Sequence, residues 1–182
     1  MQMPDHPRNG DSTPPPLMPM APLPQGRLQG RKAFRQAVRD ALCHAASGAT
    51  GWREIILSDA SFADWPLGER SVVEALHAWA RHGQRLTLLA RRYDDVPRLH
   101  PRFVQWRRTW SHKVEARACP AADAGDLPSV LWAAPWALHR LNPLHSLCIS
   151  GSEAERRALL REELDGWLAR STPGFAATTL GL

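Results

Sequence analysis

The stretch Arg53-Glu54-Ile55-Ile56-Leu57-Ser58-Asp59-Ala60-Ser61-Phe62-Ala63-Asp64-Trp65-Pro66-Leu67 decides the fold. Its apolar centre, Ile55-Ile56-Leu57, is continuous rather than alternating, as in a strand covered on both faces of a parallel or mixed sheet. Polar residues follow at once. The strand therefore delivers Asp59 and Asp64 to the carboxyl edge, where sites in open α/β sheets form. Val72, Val73, Leu76, Trp79 and Ala80 then recur at helical spacing, and Gly83 ends that helix. Leu86-Thr87-Leu88-Leu89-Ala90 is a second strand, with Arg91 and Arg92 just beyond it. Strand, helix and strand in this order make a βαβ unit with a right-handed crossover.

Upstream, Phe34, Val38, Ala41, Leu42 and Ala45 mark an amphipathic helix between Gly30 and Ser47. Downstream, Leu99, Phe103, Trp106 and Trp110 share one side of a helix running from Pro97 to Trp110, an aromatic stripe that reads as core. Lys113 to Ala118 alternates as a third strand. Ser129 to Ala133, Trp136 to Leu141 and Leu144 to Ser150 read as short strands joined by turns at Pro135 and Asn142-Pro143, which favours antiparallel hairpins. Ser152-Glu153-Ala154-Glu155 has the form of a capping box with Ser152 as the cap. It opens a helix expected to bury Leu159, Leu160, Leu164, Trp167 and Leu168. The expected fold class is α/β, a mixed sheet flanked by helices.

Residues 1–27 carry eight of the 16 prolines and no periodic apolar pattern, so they read as a disordered, proline-rich tail. Residues 28–171 are expected to form a single α/β domain and 172–182 a C-terminal tail. No signal peptide or membrane-spanning run is visible, which points to a cytoplasmic protein. Cys43, Cys119 and Cys148 are odd in number and far apart, unlike a disulfide framework or a zinc site. The net charge is +5, and it is concentrated. Arg81 to Arg117 holds ten Lys/Arg against three Asp/Glu. Such a segment suits a phosphate-bearing ligand or nucleic acid, although arginine outnumbers lysine 21 to 2 and a solvated face accounts for much of the run.

Neither phosphate-binding fingerprint, G-x-x-x-x-G-K-[ST] or G-x-G-x-x-G, is present. H-E-x-x-H, C-x-x-C and G-x-S-x-G are absent too, so no metal or cofactor is expected. Asp59 and Asp64 have the chemistry of an acid/base pair. The structural alternative has Asp59 holding loop amides and Asp64 fixing the turn before Trp65-Pro66. His112 and Lys113, preceded by Arg107 and Arg108, suit an anion site, and His139 with Arg140 carries the same ambiguity.

The element order resembles one half of the phospholipase D fold. In that family a strand carries H-x-K-x-x-x-x-D, whose histidine attacks phosphorus. Here the corresponding run is Leu127 to Ala134, with Leu127, Ser129 and Ala134 at the three motif positions, so the nucleophile is missing. More closely, the chain resembles a small proteobacterial domain of unknown function. The resemblance rests on Asp59-x-x-Phe62-x-Asp64-Trp65-Pro66-Leu67, His100-Pro101-Arg102, Ser111-His112-Lys113-Val114-Glu115 and the closing helix with Trp167. It implies a degenerate phospholipase D-like module.

The expectation is therefore a non-catalytic domain that binds a phosphate-bearing ligand, nucleic acid or a protein partner across the carboxyl edge. The expected contacts are Asp59, Asp64, Trp65, Arg91, Arg92, His112 and Lys113. Two alternatives stand beside it. One is a hydrolase or transferase using Asp59 or Asp64 with His112 or His139. The other is a structural module that forms homodimers.

Overall fold

The computed structural model describes residues 22–123 and 125–176. Most of the expected proline-rich tail, and residues 177–182 of the expected C-terminal tail, lie outside the described residues. In chain order the elements are β1 (Gly26–Gln29), α1 (Arg31–Ala46), β2 (Glu54–Asp59), α2 (Arg70–Ala80), β3 (Arg85–Ala90), α3 (Asp95–Leu99), α4 (Pro101–Thr109), β4 (Val114–Ala118), β5 (Ser129–Ala133), β6 (Trp136–Asn142), β7 (Leu147–Gly151), α5 (Ala154–Arg170) and β8 (Thr172–Pro173).

The strands form one mixed sheet in the order β1-β7-β6-β5-β2-β3-β4-β8. β2, β3 and β4 are parallel, as βαβ connections require, while β5 returns antiparallel to β2 and starts the meander through β6 and β7. The expected α/β class with a mixed sheet is what the chain adopts.

Each face of the sheet has its own core. Ile55, Leu57, Leu86, Leu88, Leu131 and Leu138 join Phe34, Val38, Trp65, Leu76, Trp79 and Phe103 on the side of α1, α2 and α4. Ile56, Leu89, Val130 and Trp132 meet Leu160 and Leu164 of α5 on the other. Both faces are thus covered at β2 and β3, which is why their apolar runs are continuous.

Several expected boundaries move. Gly26–Gln29 is a strand on β7 and Leu23 packs on the core, so the packed domain reaches into the expected tail. Thr172–Pro173 pairs with β4, inside the expected C-terminal tail. The helix expected from Pro97 to Trp110 is two helices. Pro101 has no amide hydrogen to donate and disfavours helical backbone at the residue before it, so His100 leaves the helix at φ −129°, ψ 51°. β7 starts at Leu147, and Leu144 is 86% exposed in the turn. The N-cap of α5 is Glu153 rather than Ser152, with no capping side chain, and Leu159 faces solvent.

Candidate functional site

The loop after β2 is built on Asp59. The carboxylate oxygen Oδ1 accepts the backbone N–H groups of Ser61 (3.1 Å) and Phe62 (2.9 Å), closing a tight turn in which Phe62 takes a left-handed φ of 60°. Oδ2 accepts the Ser129 hydroxyl at 2.6 Å and the Arg140 Nη2 at 2.7 Å. Sheet register explains the meeting. Ser58 faces Val130 and Ser129 faces Arg140, so Asp59, Ser129 and Arg140 form one row across β2, β5 and β6. The Arg140 guanidinium also lies 4.3 Å from the centre of the Phe34 ring. Burial pushes the Asp59 carboxyl up, but Arg140, the Ser129 hydroxyl and the turn amides outweigh it and hold the group ionised below its usual range. With both oxygens occupied, Asp59 has no free lone-pair direction with which to act as a general base.

His100 clamps the other end of the loop. Its Nδ1 accepts the Gly68 amide at 3.1 Å and its Nε2 donates to the Phe62 carbonyl at 2.9 Å. Burial lowers its pKa, which keeps the ring in the neutral form those two bonds require.

Three helices start around this loop, α2 because it follows β2, and α1 and α4 because of their contacts. Arg31 and Arg35 of α1 reach Asp64 and Glu69, and Arg102 of α4 donates to the Gly68 carbonyl at 3.4 Å. None of α1, α2 and α4 has a side-chain cap or an acidic residue in its first turn. Instead their first turns carry Arg31 and Lys32, Arg70, and Arg102. Cations at a helix N-terminus oppose the helix dipole. Lys32, Arg35, Gln36 and Arg39 also line a depression of about 560 Å³ along α1. Glu69 bridges Arg35 and Arg39; these hydrogen bonds, first that from Arg39, take its pKa down to about 2.

The seven expected contacts do not come together. Asp59 is a buried anchor, and Trp65 is wholly buried against Phe34 and Phe62, where its indole fills the core under α1. Asp64 stays at the rim, 2.8 Å from Arg31 and 3.4 Å from Arg140. Arg91 donates to the Ala122 carbonyl at 2.7 Å, while Arg92 is exposed; both follow β3 at the carboxyl edge. His112 and Lys113 precede β4, which is parallel to β2 and β3, so they lie at the opposite edge. There the Lys113 ammonium donates to the carbonyls of Ala80 (2.7 Å) and Gly83 (2.8 Å) at the end of α2. The acid–histidine arrangement fails for the same reason: Asp59 and His112 are on opposite edges, and His139 points from β6 to the face away from Asp59 and Arg140. The basic run from Arg81 to Arg117 is divided likewise. Arg85 pairs with Glu54, Arg107 is buried over the Phe175 ring and Arg117 bonds Ser171, leaving Arg81, Arg92, Arg98, Arg102 and Arg108 exposed.

The basic first turns are faint in the sequence, because Arg31, Arg35 and Arg39 fall off the apolar stripe of α1 as the residues of any solvated helix face do. The visible signal was arginine without a preceding Ser, Thr, Asp or Asn cap. Among the described residues no group of three or more His, Cys, Asp or Glu could hold a metal ion, and no helix is long and apolar enough to cross a membrane.

No protein-family model and no curated protein matches the chain. Its fold is similar to the solved structure of TrmBL2, an archaeal chromatin protein described as showing a novel mode of DNA binding. The TM-score is 0.62 at 17% identity, over 87% of this chain and 57% of that one. The chain thus spans just over half of that structure's length. This corrects the phospholipase D-like assignment expected above. The comparison leads to a chromatin protein, and Ser129, expected at the lysine position of the phospholipase motif, is a neutral partner of Asp59 and Arg140. The shared architecture with TrmBL2 is a likeness of fold.

Proposed function

We propose that this domain is a non-catalytic nucleic-acid-binding module that holds the phosphate backbone against the carboxyl edge of its sheet. The observation that carries the reading is the set of three helix N-termini that lack a side-chain cap hydrogen bond and whose first turns contain arginine or lysine and no acid; Glu69, at the N-cap of α2, is engaged by Arg35 and Arg39 of α1. Oriented backbone N–H groups and a positive dipole end favour an anion, and adding cations there is unfavourable unless an anion is bound. Arg31, Lys32, Arg70 and Arg102 are all exposed; Arg31 is paired with Asp64 and Arg70 with Glu74, and a phosphate oxygen would share or replace those carboxylates. Arg92, just after β3, and Arg98 of α3, which is paired with Asp95, extend the surface. Asp64 and Glu69 act as organisers that hold Arg31, Arg35 and Arg39 in place. The DNA binding described for TrmBL2 is consistent with this reading, at the level of fold analogy.

The test is the anisotropy of a fluorescein-labelled 30-base-pair duplex titrated with the full chain at several salt concentrations. Four phosphate contacts give a log K against log salt slope of about −3 to −4. Arg102→Glu is expected to reduce the slope by about 1 or more. The same change is expected to leave thermal stability unaltered or raise it by about 0.3–1 kcal/mol, because glutamate suits a helix N-terminus. No duplex binding at 50 mM salt, or binding indifferent to salt, would refute the reading.

A further inference from the structure

α2 and α4 both start at the carboxyl edge and run the same way across the sheet. They are tied near their N-termini by His100 to Gly68 and near their C-termini by the Trp110 indole N–H to His77 Nδ1 at 3.3 Å. Between them lies a groove of about 600 Å³ lined by Val73, Glu74, His77, Ala78 and Arg81 of α2 and by Arg102, Gln105, Trp106 and Thr109 of α4. Its floor is apolar, where Val73 and Trp106 pack on the core. Cations stand at both ends, Arg102 at the carboxyl edge and Arg81 at the end of α2, with Glu74 the only acid among the lining residues. Beyond Arg81, Trp110 is half-buried with His77 at 5.6 Å, His112 at 5.8 Å and Lys113 at 5.7 Å from its ring. The indole N–H of Trp106, in the groove wall, has no acceptor among the described residues.

We infer that this groove takes a single-stranded nucleic acid, with unpaired bases on the apolar floor between Val73, Ala78 and Trp106 and flanking phosphates on Arg102 and Arg81. The inference rests on the nucleic-acid reading of the carboxyl edge and assigns that ligand's form. Single strands are held by a positively charged groove together with surfaces on which bases pack; here Arg102 and Arg81 supply the charge, and Val73, Ala78 and the 5% exposed edge of Trp106 supply the apolar surface. The occupant is set by charge complementarity. A groove with a cation at each end suits a polyanion whose bases present apolar faces. From Val73 to Arg81 the helix rises about 12 Å, which limits the groove to a short run of bases. A duplex is too wide to enter and stays at the edge, where Arg102 serves both surfaces.

The experiment compares a fluorescein-labelled 15-mer of deoxythymidine with a labelled 15-base-pair duplex, by anisotropy at 100 mM salt, on the full chain. Val73→Glu places a carboxylate on the floor, Arg81→Ala removes the far cation, and Arg31→Ala alters the edge alone. The expected result is that Val73→Glu and Arg81→Ala weaken the single strand about ten-fold and leave the duplex within about two-fold. Arg31→Ala weakens the duplex and leaves the single strand within about two-fold. Circular dichroism confirms that Val73→Glu is folded, and the exposed Arg81→Ala change carries the test if it is not. Single-strand binding untouched by both groove variants would overturn the inference while the edge reading stands, and the groove would then belong to a protein partner. Loss of both probes in the wild-type chain would overturn the edge reading and this one together.

Discussion

Asp59 and Arg140 form an ion pair whose side chains are 7% and 3% exposed, and the loop after β2 depends on it. Two charges withdrawn from water are tolerated because each is matched: the carboxylate by two amides, a hydroxyl and a guanidinium, and the guanidinium by Asp59, Ser129, Asp64 and the Phe34 ring. Removing one partner leaves the other charge buried and unpaired. Arg140→Met is therefore expected to lower unfolding free energy by about 3–5 kcal/mol in urea titrations. Adding Asp59→Asn should recover part of that loss, because no unpaired charge remains. A single variant within about 1 kcal/mol of the wild type would show that the pair does not organise the loop. Asp59 was legible in the sequence as the residue that ends a buried strand. Its partners were not, since they come from strands 70 and 81 residues later and only register brings them opposite.

The elements matter through how their ends are arranged. Glu69 sits at the N-cap of α2 and receives Arg35 and Arg39 from α1, so one carboxylate joins the two helices. Its pKa falls from about 4.5 to about 2. A depressed carboxylate contributes stability above its unfolded pKa and loses it on acidification towards its folded pKa, so the window is from pH 4.5 down to about 2. Because Glu69 is 30% exposed, solvent screening reduces the effect, and Glu69→Gln is expected to cost about 1 kcal/mol at pH 7. Wild type and variant should converge by about pH 2 in thermal melts followed by circular dichroism. A gap that persists unchanged at that pH would assign the loss to packing. The periodicities of α1, α2 and β2 to β4 were plain from their apolar spacing. The break at His100 was also readable, from Pro101, but the one-sided aromatic stripe of Leu99, Phe103 and Trp106 masked it. Strands β1 and β8 carry no periodic signal at all, being four and two residues long and paired only at the sheet's outer edges.

Across the whole molecule, the basic residues of one contiguous segment end up doing different work. Lys113 neutralises the carbonyl end of α2, Arg117 ties β4 to the chain after α5, and Arg107 lies under Phe175. The exposed cations that share a surface come instead from α1, α2, the loop after β3 and α4. Hence Lys113→Met is expected to reduce stability modestly and to leave the salt slope of duplex binding unchanged, in contrast to Arg102→Glu. If Lys113→Met lowered that slope by about 1, the interface would have to include the opposite edge.

By itself the sequence determined the α/β class, the βαβ unit of β2 and β3 with β4 as a further strand, and the turn that Asp59 supports, because continuous apolar strands, helical spacing and turn chemistry are local signals. Tertiary structure alone decided which charges meet. Parallel strands put Asp59 and Lys113 at opposite edges, antiparallel register carried Ser129 and Arg140 to Asp59, and helix direction turned three basic N-termini to one side. Charge acts through distance in space, and strand order and direction, which the run of residues does not encode locally, set that distance.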